Sequence, residues 1–182
     1  MLLSYAGVTA LSTAISIVAI ATYYWMHIED TTDIGAFNSS NEGAQGYMTH
    51  CTSVMSQMEC GYLRSMQVSS VLTILFGGVT TFLYLVPPRA FATFPTFLSV
   101  TGNLFQMCFG IMTAIIFLYF KRNYYNDDGV NREYDGPSSS SLSLDWSYWL
   151  WVTSTVLTFP LVVGGYYHLF HEHKVAKRVN QV

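Results

Sequence analysis

Four stretches of the chain contain no Asp, Glu, Lys or Arg: 1–28, 65–88, 90–120 and 146–171. Each can hold the roughly 20 apolar residues that a helix needs to cross about 30 Å of hydrocarbon. The pattern predicts four membrane-spanning helices over about 2–25, 63–86, 94–120 and 146–170, in one domain covering 1–182. Polar residues fall between them, in a long first loop at 26–62 and a second at 121–145. A short connector at 87–93 makes the second and third helices antiparallel neighbours, and a short polar tail occupies 171–182.

Smaller patterns lie inside the apolar stretches. Ala6, Ala10 and Ala14 recur every four residues, as do Ser69, Thr73, Gly77 and Thr81, and such stripes let a neighbouring helix approach closely. Gly102, Gln106 and Gly110 share one face of the third helix with Asn103 beside them. Amides at membrane depth point toward other protein or a cavity, so Asn103 and Gln106 are expected at a packed interface; a permeation path is the sharper alternative. Aromatic residues mark the boundaries, with Tyr23, Tyr24 and Trp25 closing the first helix and Trp146, Tyr148, Trp149 and Trp151 opening the fourth. Pro87 and Pro88 stop the second helix, and Pro160 should kink the fourth near Val156.

Composition agrees with the pattern. Of 182 residues 10% are charged and 51% hydrophobic, whereas a soluble domain carries roughly 25% charge. The net charge of −3 gives no sign of nucleic-acid binding. Ala19-Ile20-Ala21 has the look of a signal-peptide cleavage site, but no basic residue precedes the first apolar run, so a retained helix is expected.

The first loop holds most of the candidate chemistry. It carries Glu29, Asp30, Asp33 and Glu42, the glycosylation-type Asn38-Ser39-Ser40, and Cys51 and Cys60, which an oxidising compartment would pair. Cys108 lies in an apolar run and reads as a small buried hydrophobe. Tyr47–Met58 is the best candidate for a small hairpin. Basic residues are balanced: Arg89, Lys174, Lys177 and Arg178 on one side, Arg64, Lys121, Arg122 and Arg132 on the other. The cysteines and Asn38 therefore decide orientation, placing both termini in the cytosol and both long loops outside. His168, His171 and His173 suit a helix C-terminus better than a metal site, having no paired carboxylate or cysteine nearby. No nucleophile motif, phosphate loop or carboxylate dyad sits in a plausible pocket, so neither an enzyme nor a cofactor is expected.

The first loop also resembles a family. Trp25, then Gly46-Tyr47-Met48-Thr49-His50-Cys51, then Cys60 after eight intervening residues is similar to the signature of claudins, peripheral myelin proteins and calcium-channel gamma subunits. That signature runs Trp, Gly-Leu-Trp, Cys, Cys. The stretch from Leu63 and Arg64 to Ser70 looks like the family's start of its second helix, and Trp146-Ser147-Tyr148-Trp149 like its start of the fourth. The resemblance implies an all-α membrane protein, a left-handed bundle of four transmembrane helices. It also implies a small extracellular β-sheet from the first loop, stapled by Cys51–Cys60. Tyr47 and Met48 stand where the family has Leu-Trp, and few residues separate Cys60 from the second helix, where claudins have a further strand and short helix.

Two function classes follow. One is cell–cell contact or a paracellular barrier, in which the first loop, with Glu29, Asp30, Asp33, Glu42, Tyr47 and Met48, faces a partner. The other is an auxiliary subunit of an ion channel or neurotransmitter receptor. Both imply membrane lipid and other membrane proteins as partners, at the plasma membrane or its junctions.

Overall fold

A computed structural model describes residues 2–22, 25–28, 32–34, 57–85, 93–126 and 143–179. Among these residues four helices dominate: α1 (Leu2–Ala21), α2 (Gln57–Leu85), α3 (Thr93–Asn126) and α4 (Trp146–Val179). Among the described residues three short strands accompany them, β1 (Met26–Ile28), β2 (Thr32–Ile34) and β3 (Ser143–Leu144). Each helix packs on its neighbours in sequence, and α4 closes back on α1. All four contain a segment long and apolar enough to cross a membrane, so the chain is a multi-pass membrane protein by length and composition.

The bundle is apolar outside and hydrogen-bonding inside. Leu11, Leu75, Phe82, Val156 and Phe159 face outward, while Thr9, Ser12, Thr13, Ser16, Ser69, Thr73, Asn103, Gln106, Thr113, Ser154 and Thr158 are buried. Lipid tails are as apolar as leucine, so apolar burial gives little drive for helices to associate in a bilayer; close packing and interhelical hydrogen bonds supply it. Ser12 Oγ donates to the Ser154 carbonyl at 2.9 Å, and the hydroxyls of Ser16 and Ser154 meet at 2.8 Å, tying α1 to α4. Ser69 and Thr113 tie α2 to α3 in the same way at 2.7 Å.

The small-residue stripes divide. Ser69, Thr73 and Gly77 are buried on α2, with Thr81 half-buried. Of the α1 alanine stripe only Ala6 is buried; Ala10 and Ala14 face outward, correcting the sequence expectation. Four residues turn an α-helix through about 400°, so each step of that stripe drifts about 40°. Ala6 sits at the margin of the buried face, and the drift carries Ala10 and Ala14 away from it.

The helix ends also differ from the apolar windows. The first helix stops at Ala21, not 25, and the second starts at Gln57, not 63. Gln57 and Met58 are therefore helical rather than part of a hairpin, and the rest of Tyr47–Met58 lies outside the described residues. The third and fourth run on past 120 and 170 to Asn126 and Val179. At 34 residues each, they are about 50 Å long at 1.5 Å per residue and exceed the hydrocarbon thickness. Hydropathy marks only the part of a helix that lies in lipid, whereas the backbone ladder continues wherever the residues permit it. Pro160 lies inside α4, which continues through it.

Candidate functional site at the loop end of the bundle

The chain leaves α1 and folds back on it within four residues. The last carbonyls of a helix lack intrahelical partners. Here the Ala19 carbonyl accepts the Trp25 indole Nε1–H at 2.5 Å and the Thr22 hydroxyl at 3.1 Å. Trp25 is consequently fully buried, not an interfacial anchor. Its ring meets Phe117 edge-on at a centroid distance of 5.1 Å, Tyr148 at 6.1 Å and Trp151 at 5.6 Å. Ala19, Leu63 and Met66 complete this cluster, which draws on all four helices. Trp151 Nε1–H donates to the Gly110 carbonyl at 3.0 Å. Of the aromatics opening α4, only Trp146 and Trp149 keep the outward exposure of interface residues, at 44% and 55%.

The sheet is built directly on this plug. β1 pairs antiparallel with β2 on one side, in the register Met26–Ile34, His27–Asp33 and Ile28–Thr32, and with β3 on the other. β3 belongs to the second loop, so the two long loops share one sheet of order β2-β1-β3. The Asp145 amide donates to the Trp25 carbonyl at 3.1 Å, and Asp145 Oδ1 accepts the Trp146 amide at 2.6 Å, capping α4. Thr22 and Ser147 join the start of α4 to the end of α1 at 2.7 Å. Neither Ser143–Leu144 nor the Asp145 cap is among the residues that the sequence pattern marks. An Asp before an aromatic-rich helix is a cap signal, but a two-residue strand leaves no readable alternation.

The other candidate residues fall in several places. Cys60 lies half-buried in the first turns of α2, on the helix rather than in the loop, and Arg64 follows one turn later, exposed. Asp33 is on β2. Glu29, Asp30, Asn38, Glu42, Gly46, Tyr47, Met48 and Cys51 lie outside the described residues. Cys108 is a free cysteine and exposed on the bundle exterior, correcting the expectation of a buried one. Among the described residues no group of three His, Cys, Asp or Glu could hold a metal.

Asn103 and Gln106 are fully buried at mid-bundle. Asn103 donates to the Tyr84 hydroxyl at 3.1 Å, and its Oδ1 lies 3.4 Å from the Thr9 hydroxyl. Gln106 donates toward Ser12 and Thr13 at 3.3 and 3.4 Å. Both amides thus span from α3 to α1. Around them the helices touch through glycine: a Cβ at Gly77 would run into the Thr13 hydroxyl and stand 2.8 Å from Gln106 Nε2.

In comparisons with known proteins, no family model and no curated sequence matches the chain.

Proposed function

We propose that the chain is a claudin-like integral membrane protein of the plasma membrane, acting in cell–cell contact or a paracellular barrier through its two long loops. The observation that carries this reading is the pairing of β1 with β3 directly above buried Trp25. Two loops that share a sheet on a rigid plug can present one surface of fixed shape, which recognition of a partner on an opposing membrane requires. The signature residues Trp25, Gly46, Cys51, Cys60 and Arg64 support the same reading.

In this reading the loops are extracellular, both termini are cytosolic, and Asn38 carries a glycan. Cys51 pairs with Cys60, on the first turns of α2, and closing a loop of this size contributes about 2–3 kcal/mol. Glu29, Asp30, Asp33 and Glu42 give the surface a negative field that favours cations over anions. Expressed alone in cells that lack junctions, the protein should concentrate where two expressing cells touch. Uniform surface staining rejects the barrier reading.

A second reading, an auxiliary subunit of a channel or receptor, is favoured by where α2 starts. The helix already includes Cys60, leaving no room between them for the strand and short helix that claudins carry there. Under this reading the chain co-purifies in mild detergent with a large channel or receptor subunit, and recovery without one counts against it.

A further inference from the structure

We propose that a water molecule is bound at membrane depth between α2 and α3, hydrogen-bonded to Gln106 Oε1 and Thr80 Oγ1. Both side chains are fully buried, and neither of these oxygens has a hydrogen-bond partner among the described residues. An unmet buried polar group costs about 1–3 kcal/mol, and the bilayer interior has no bulk solvent to relieve it.

Thr80 departs from the habit of its neighbours. Thr73 and Thr81 on the same helix return their hydroxyls to the carbonyl four residues back, at 2.8 Å each, and Thr9, Thr13 and Thr113 do likewise. The Thr80 hydroxyl instead points across the seam, where a Cβ on Gly102 would collide with it. Gln106 lies one turn beyond Gly102 on α3, and its Nε2 lies against Gly77, one turn before Thr80 on α2. The two orphan oxygens therefore belong to one seam, on side chains that touch it about one helical turn apart. A single water with two hydrogen bonds of about 2.8 Å joins oxygens roughly 4.5–5.6 Å apart, the lower figure at a tetrahedral angle, a reach that suits side chains set about one turn apart. It would donate to the amide carbonyl and either donate to or accept from the hydroxyl. Gln106 Nε2 needs no share of it, being turned toward Ser12 and Thr13. Two to four polar partners are what a buried water takes.

The test is a double-mutant cycle on the full chain in lipid nanodiscs, with melting followed by the emission of the buried tryptophans. Thr80→Val is nearly isosteric and removes only the hydroxyl. If a water bridges the pair, Thr80→Val and Gln106→Met each lower Tm, the double variant falls no further than the worse single, and Thr80→Ser stays at the parental value. If the seam is dry, Thr80→Val removes an unmet polar atom, so Tm holds or rises. That result, or additive losses in the double variant, overturns the proposal. Should Gln106→Met fail to fold, the sign of the Thr80→Val shift against Thr80→Ser decides alone.

Discussion

At the scale of single residues, Trp25 and Gly77 carry the clearest consequences. Trp25 combines a buried ring with an indole donor to an orphan helix carbonyl, so its two contributions are separable. Trp25→Phe keeps most of the ring packing and loses the 2.5 Å bond to Ala19, a loss of about 1 kcal/mol. Trp25→Ala empties the plug and should cost about 3–5 kcal/mol. Denaturation in mixed micelles, read by fluorescence of the remaining tryptophans, should rank them in that order; equal losses would mean that the ring contacts are not the main contribution. Gly77 and Gly78 are adjacent yet opposite in environment. A Cβ at Gly77 meets α1 and α3, while one at Gly78 meets nothing within 4 Å. Gly77→Ala should therefore destabilise by about 1–3 kcal/mol through overpacking. Gly78→Ala should be neutral or stabilising by up to about 1 kcal/mol. Thermal melts of the two single variants check the contrast.

At the scale of elements, α4 depends on its cap as well as on its packing. Asp145 accepts the Trp146 amide through its side chain and the Tyr148 amide through its carbonyl, and it also holds β3 against Trp25. Replacing it with Ala should cost about 1 kcal/mol, whereas Asn, an equally good cap, should leave the melting temperature unchanged. A loss on Asn as large as that on Ala would mean that the charge, not the cap, is what matters. The four helices were legible because the absence of charge over about 20 residues is a coarse signal that needs no register. Their ends were not legible. The end of α1 is set by Trp25 turning back onto it, a tertiary contact, and the start of α2 at Gln57 lies in residues no more apolar than the loop before them. Which face of each helix is buried was only partly readable. The Ser69, Thr73, Gly77 stripe succeeded because it stays within the buried face of α2, and the α1 alanines failed because their stripe starts at the margin of the buried face and drifts off it.

At the scale of the whole molecule, the fold sets both long loops at one end of the bundle, but which side of the membrane that end faces rests on Asn38 and the cysteines. Sequence placed Trp25 in the candidate site by motif spacing, yet gave its role as an interface anchor. Only the fold makes it the floor on which both loops meet. An outward-facing loop end requires that two independent chemistries agree. Treatment with an N-glycosidase should increase the protein's gel mobility, and Asn38→Gln should abolish that shift, since Asn38 is the only N-x-S/T site in the chain. In intact cells a membrane-impermeant maleimide should modify neither Cys51 nor Cys60 until a reductant is added, because the proposed bond occupies both. Cys60→Ser should make Cys51 reactive without reductant and lower stability by about 2–3 kcal/mol. Cys108, at membrane depth on the exterior of α3, should stay unmodified throughout, because a charged reagent does not reach it through lipid. Labelling of Cys51 or Cys60 without reductant breaks the pairing. Labelling that needs permeabilised cells instead reverses the orientation, and with it any role of this surface in contact between cells.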